Sequence, residues 1–265
     1  MNALSQRLFM VKAYLRHLLR SKSLDSVHPP FLFELYSEVI RNRHPYYAFR
    51  KIESLRMLLL NSEETLKTID LGAGSNVLSS KRKRVRDIAR SYAKNPIYAQ
   101  LLFRFANHFR SKNILELGTS LGLSSLYLAM HDSSARVITL EGDPQTADCA
   151  RRNFERMRVN NIEVITGPFD DTLAGALQQI GKVDLVFFDG NHRKEPTLHY
   201  FKECLQHADE NTVFIFDDIH WSPDMQDAWE EIGRHESVTS TADLFFFGLV
   251  FFRKELSKQH FSLRA

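Results

Sequence analysis

Five short segments of this chain place acids or glycines directly after apolar runs, where such residues can do chemistry. They are Glu116-Leu117-Gly118-Thr119-Ser120-Leu121-Gly122, Glu141-Gly142-Asp143, Gly167-Pro168-Phe169-Asp170, Asp189-Gly190-Asn191-His192 and Asp217-Asp218-Ile219-His220-Trp221. In the first, Gly118 and Gly122 let the backbone pass close to a ligand without a Cβ in the way. Thr119 and Ser120 are suited to cap a helix that begins near Leu121. An acid at the end of a strand, as at Glu141, accepts hydrogen bonds from paired ligand hydroxyls. His192 has the intrinsic pKa of a general base near neutral pH, although a histidine in this place can also merely orient its loop or cap the next helix.

The elements that must position these segments follow from periodicity. Ile114–Leu117, Val137–Leu140, Ile162–Ile165, Val183–Phe188 and Val213–Phe216 read as five short buried strands. Amphipathic helical patterns lie between them, near 122–131, 145–158, 171–180 and 195–207. Such alternation specifies a parallel sheet with helices on both faces, an α/β fold. A helix near 223–234 then leads to two more strands, about Ser237–Thr241 and Phe245–Arg253. The longest apolar run, Phe245 to Phe252, is strand length and far short of the roughly 20 residues that span a bilayer.

The first part of the chain has another texture. Leu4, Leu8, Val11, Leu15 and Leu18 recur at helical spacing among Arg7, Lys12, Arg16 and Arg20, a basic amphipathic helix that packs on the protein or lies on a membrane surface. His28-Pro29-Pro30 and His44-Pro45 bracket a second helix, about Phe31 to Arg41, and a third runs from Tyr47 to Leu60. Helical patterns resume after the basic stretch Lys81-Arg82-Lys83-Arg84-Val85-Arg86 and continue to about Phe109. The organisation expected is a helical N-terminal cap region over 1–93 and an α/β domain over 94–265. These helices could cap a site, form a homodimer or touch a membrane. Residues 1–112 hold 21 Lys/Arg against 8 Asp/Glu, and residues 113–265 hold 14 against 24. Opposite balances of this kind suit either mutual neutralisation or a basic surface for an anionic partner such as nucleic acid. Only Cys149 and Cys204 occur, each in a helical pattern, as in a reducing compartment. With no secretory leader pattern, the cytoplasm is the expected location.

The glycine spacing separates two cofactor classes. Dinucleotide sites use Gly-x-Gly-x-x-Gly to seat a pyrophosphate on a helix N-terminus. Here the turn is Gly118-x-x-x-Gly122 preceded by Glu116, which resembles motif I of class I S-adenosylmethionine-dependent methyltransferases, whose ligand carries no phosphate. Glu141, 23 residues after Gly118, fits the ribose-binding acid, and Gly167 to Asp170 fits the adenine wall. The resemblance implies a Rossmann-like methyltransferase fold, a seven-stranded mostly parallel sheet with an antiparallel edge. It implies cofactor contacts at Glu116, Gly118, Thr119, Ser120, Gly122, Glu141, Gly142, Gly167, Phe169, Asp170 and Asp189. Asp70-Leu71-Gly72-Ala73-Gly74-Ser75 resembles the same motif, but no strand–helix series follows it. Asn95-Pro96-Ile97-Tyr98 resembles the Asn-Pro-Pro-Tyr motif of amino-directed methyltransferases, yet it precedes the first strand and reads as a helix start.

Over about 94–253 the likeness sharpens. Val186 to His192 and Phe214 to Trp221 resemble the catechol and caffeoyl-type O-methyltransferases and their bacterial relatives. In that family an Asp after strand four and an Asp-Asn pair after strand five hold a divalent cation, which maps onto Asp189, Asp217 and Asp218. Three carboxylates at adjacent strand ends would otherwise repel one another, and oxygen ligands suit Mg²⁺ or a similar ion. The chain departs from the pattern at Asp218, where the family has Asn. It also has His192 where the catalytic lysine stands, with Lys194 two residues on. The resemblance thus implies catalytic roles for Asp189, His192 and Lys194. The expected function is O-methylation of a small molecule, assisted by a cation. The alternatives are an RNA or other macromolecular methyltransferase docking through the basic half, and a non-catalytic cofactor-binding protein.

Overall fold

A computed structural model describes residues 3–22, 29–68 and 82–264. In chain order the elements begin with α1 (Ala3–Arg20) and α2 (Pro30–Glu34), which runs on as a π-helical turn over Leu35–Ile40. Then come α3 (Tyr47–Leu60), two three-residue strands β1 (Thr65–Lys67) and β2 (Arg82–Arg84), α4 (Val85–Tyr92) and α5 (Pro96–His108). The alternating series is β3 (Asn113–Leu117), α6 (Leu123–Ala129), β4 (Arg136–Glu141), α7 (Pro144–Met157), β5 (Ile162–Thr166) and α8 (Phe169–Ile180). It continues with β6 (Leu185–Phe188), α9 (Lys194–Leu205), β7 (Val213–Asp217) and α10 (Pro223–Arg234). β8 (Ser240–Asp243), β9 (Phe247–Phe251) and β10 (Gln259–Ser262) follow.

The fold is the Rossmann-like α/β class, with eight strands in a mixed, mostly parallel sheet. The chain groups into two compact units, residues 43–183 and residues 1–42 with 184–265. In the first, β3, β4 and β5 run parallel in that order. Ile114, Leu115 and Leu117 of β3 and Val137, Ile138 and Leu140 of β4 are buried, as in strands covered on both faces. Asn95 caps α5 by accepting the Ile97 N–H at 3.0 Å, and Pro96 fills its first turn, as the sequence suggested. A buried helical layer of Phe49, Ile52, Leu55, Leu102 and Phe105 backs α6. Tyr127 joins it through a hydrogen bond from its hydroxyl to Glu53 at 2.7 Å. Cys149 and Cys204 are buried in α7 and α9, and burial raises the pKa of both thiols.

In the second unit β6 and β7 are parallel, and β9 lies antiparallel beside β7. β8 pairs with the other edge of β9, and β10 adds parallel to β8. The expected edge pair is therefore present, but with one strand more than the seven anticipated. β10 is short and polar, and only Phe261 of its four residues is buried, so no apolar run announces it. The antiparallel pair β1–β2 is likewise too short for a period to show, and it interrupts an otherwise helical region. The Asp70 to Ser75 motif lies outside the described residues.

α1 docks by the opposite face from the one its pattern advertises. Ala13 and His17 are buried, while Leu8, Val11 and Leu15 are exposed and Leu19 is 89% exposed. The anchors are polar. Arg264 donates to the Leu18 carbonyl at 3.1 Å, and Lys22 N–H to the Ser262 carbonyl at 2.8 Å. Among the described residues no helix is long and apolar enough to cross a membrane.

β9 and α10 meet where Gly248 faces Trp229. A Cβ at Gly248 would stand 2.6 Å from the indole ring. Gly248→Ala is therefore expected to overpack this layer by about 1–3 kcal/mol, read as a lower midpoint in urea unfolding with the slope unchanged.

Candidate active site

In the unit of residues 43–183 the site begins with register. Leu117 on β3 lies opposite Leu140 on β4, so the turn after β3 emerges beside Glu141. The Gly118 and Thr119 N–H groups both donate to the Leu140 carbonyl, at 3.0 and 3.1 Å. The turn winds through three positive-φ residues, Gly118 at 111°, Ser120 at 49° and Gly122 at 82°. Ser120 thereby aims its N–H at Glu141 Oε2 (2.8 Å), and Asp143 N–H reaches Oε1 (2.9 Å). Both oxygens are anchored, and each keeps acceptor capacity for a ligand hydroxyl. Burial raises the Glu141 pKa above its ordinary value, against the lowering effect of these N–H groups.

Glu116 lies wholly buried beneath the turn. It accepts hydrogen bonds from the Ser125 hydroxyl and from the Thr139 hydroxyl, the latter at 2.7 Å. Thr139 in turn meets the Thr119 hydroxyl at 2.7 Å. Neither Thr119 nor Ser120 caps α6, which starts two residues later than expected with left-handed Gly122 at the N-cap position. Their polar groups are used on Thr139 and Glu141 instead. Gly167 has φ 146° and donates to the Glu141 carbonyl at 2.9 Å, which brings the turn after β5 alongside. Gly142 and Phe169 are half-buried, and Asp170 is exposed in the first turn of α8.

The other unit holds a second group of strand-end residues. Phe188 on β6 pairs in register with Phe216 on β7, and their rings stack at 4.2 Å. The next residues are Asp189 and Asp217, side by side because parallel strands in register end together. Asp189, His192 and Asp217 offer ligand atoms within 4.8 Å of one another, and His192 Nε2 stands 3.8 Å from Asp189 Oδ1. Asp217 is buried. Two carboxylates and an imidazole in this space form a donor set that fits one divalent cation. Asp218 does not join this group; it takes φ 52° and donates its N–H to the Phe246 carbonyl at 2.7 Å. Lys194 is engaged by Glu231 at 3.1 Å, and this pairing raises its pKa.

His220 does not join the Asp189 group either. Its Nε2 lies 2.9 Å from Asp243 Oδ2, and His17 Nδ1 lies 3.2 Å from Asp243 Oδ1. No local spacing announces this second cluster, because its members come from α1, the loop after β7 and β8. The Asp-Asp-Ile-His segment was its only visible edge.

Residues 115–219 match the family model described as a methyltransferase domain. Over that stretch this chain is similar to a methyltransferase domain. Over 128 residues the chain is 31% identical to a catechol O-methyltransferase of Niastella koreensis, covering 47% of this chain and 57% of the relative. It is 34% identical over 122 residues to a catechol O-methyltransferase of Mycobacterium tuberculosis, covering 45% and 54%. The chain thus spans about half the length of the curated relatives it matches. Solved structures share the fold. An O-methyltransferase from Bacillus cereus in complex with SAH superposes with a TM-score of 0.55 at 21% identity, over 83% of this chain and 97% of that one. A SAH-bound methyltransferase of Podospora anserina gives 0.59 at 15%, over 86% and 99%.

Two positive-φ glycines within residues 115–219 differ in what surrounds them. Gly181, at φ 74°, has nothing within 4 Å of an added Cβ, whereas at Gly122, φ 82°, a Cβ would enter the Phe154 ring. Gly181, with ψ −122°, lies outside the left-handed helical region, so Gly181→Ala is expected to cost about 1–3 kcal/mol through the backbone alone. Gly122→Ala, in the left-handed region with ψ 12°, is expected to cost about 1–2 kcal/mol of strain and about 1–3 kcal/mol of overpacking. Paired denaturant titrations of the two variants measure the difference directly.

Proposed function

We propose that this chain is an S-adenosylmethionine-dependent O-methyltransferase acting on a small-molecule acceptor. The observation that carries the proposal is Glu141, a carboxylate fixed through both oxygens at a strand end beside a glycine turn. Such a group is built to receive the two ribose hydroxyls of the cofactor. Gly118, Thr119, Ser120 and Gly122 then form the close backbone wall, and Gly142, Gly167, Phe169 and Asp170 the adenine side. The relatives named catechol O-methyltransferase support a small oxygen acceptor, and the SAH-bound neighbours support the cofactor. We assign the transfer to residues 94–265 and an accessory role to 1–93.

The reaction moves a methyl group from a sulfonium to an oxygen. An acceptor oxygen lone pair forms the new C–O bond while the S–C pair returns to sulfur, leaving S-adenosylhomocysteine. The acceptor hydroxyl must also lose a proton, and we assign its removal to His192, whose Nε2 stands 3.8 Å from Asp189. A divalent cation at this site would be held by Asp189 and Asp217 with His192 beside them, and would lower the pKa of a bound hydroxyl. Lys194 enters this scheme only through its pairing with Glu231, as an anchor for the loop that carries His192. Because the methyl donor is already activated, the chain contributes mainly alignment and charge stabilisation.

Calorimetric titration with S-adenosylhomocysteine tests the cofactor half. Micromolar binding is expected, weakened about 10- to 100-fold in Glu141→Gln through loss of charge-assisted hydrogen bonds. The ionised carboxylate is the binding form, and its pKa is raised. Affinity should therefore fall on acidification at a higher pH than an ordinary carboxylate would give, and Glu141→Gln should flatten that profile. No binding at any pH would overturn the reading.

The acceptor half is tested by turnover on a panel of catechols and other phenols with Mg²⁺ or chelator present. His192→Gln should lower the rate about 10²- to 10⁴-fold while cofactor affinity stays unchanged. Full turnover in this variant would remove His192 from the chemistry.

A further inference from the structure

We propose that His17, His220 and Asp243 form a second metal site, a three-ligand centre for a Zn²⁺-class ion, separate from the Asp189 group. The three side chains are 4%, 12% and 16% exposed. Their ligand atoms lie within 4.8 Å of one another. Asp243 closes β8 and is held in place by the Phe245 N–H, which donates to Oδ1 at 2.8 Å. The Phe245 ring then packs on both imidazoles, stacked on His220 at 5.2 Å and edge-on to His17 at 5.6 Å. Both ring planes are thereby fixed toward one carboxylate.

A plain hydrogen-bonded triad accounts for only half of this geometry. His220 Nε2 is aligned on Asp243 Oδ2. His17 Nδ1 is fully buried at 3.2 Å from Oδ1, yet it makes no hydrogen bond there or elsewhere among the described residues. Nδ1 and Oδ1, close but not aligned on each other, are available as two ligands of a third atom.

The donor set selects the ion. Two imidazole nitrogens and one carboxylate suit Zn²⁺, Co²⁺ or Ni²⁺ and are poor for Mg²⁺ or Ca²⁺. Three protein ligands leave a fourth position open, as in zinc sites that take water or a ligand. Here the cluster lines a cavity of about 330 Å³ whose wall also carries Arg16, Arg20 and Arg234. Arg234 is paired with Glu230 at 2.9 Å. The arginines would resist a bare cation, so the open position is suited to an anionic co-ligand, a carboxylate or phosphate group.

Co²⁺ titration of the metal-stripped full chain tests the site through the visible d–d absorption of a nitrogen-ligated ion. One equivalent of Co²⁺ should give the band, and Zn²⁺ should displace it whereas Mg²⁺ should not. The band should persist in the double variant Asp189→Asn, Asp217→Asn and vanish in His17→Gln and in His220→Gln. Circular dichroism establishes that each variant is folded, and two single-ligand variants guard against a loss of α1 docking in one. A wild-type chain without the band would overturn the site. So would a band that survives His17→Gln and His220→Gln, or one lost with the Asp189 group.

Discussion

The N–H groups of Ser120 and Asp143 end on the same carboxylate, so Glu141 ties together the turns they belong to. The backbone winds through positive φ at Gly118, Ser120 and Gly122, closed by the Gly122 N–H on the Thr119 carbonyl at 2.9 Å. Glu141 takes the Ser120 N–H, and Glu116 braces the layer below through Ser125 and Thr139. The two acids therefore act differently although both sit near a β3–β4 strand end. Glu116 is a buried strut for α6, and Glu141 is a strut with acceptor capacity left over.

Much of this was legible in the residue order. A parallel strand buried on both faces must be an apolar run, and its end must be polar or glycine, so the five strand ends stood out. The register of β6 with β7 then brought Asp189 and Asp217 together without any further signal. Where pairing depended on distant chain, the order was mute. β10 has one buried residue, and Asp243 gains its meaning only from histidines 226 and 23 residues away. The helix cap was misplaced because Thr119 and Ser120 are good caps in isolation but have stronger partners here in Thr139 and Glu141.

α1 shows the limit of amphipathic reasoning most plainly. Its leucine stripe is real, but periodicity reports only that a stripe exists. What the helix turns inward is decided by two buried side chains, Ala13 and His17, and by hydrogen bonds from Lys22 and Arg264. A small residue permits close approach, and a histidine facing a buried carboxylate supplies the direction. Polar specificity outranks apolar area on this helix.

The partners that hold α1 lie far along the chain, since Arg264 and Leu18 are separated by 246 residues. During synthesis at about 5–20 residues per second, they are made on the order of ten to fifty seconds apart. Trp221, His220, Asp243 and Phe245, which also meet α1, are made only shortly before Arg264. The series from β3 to β9 can close first, because each strand pairs with chain already made or soon to come. Settling of α1 is thus a late event, timed by the appearance of β8 and β10.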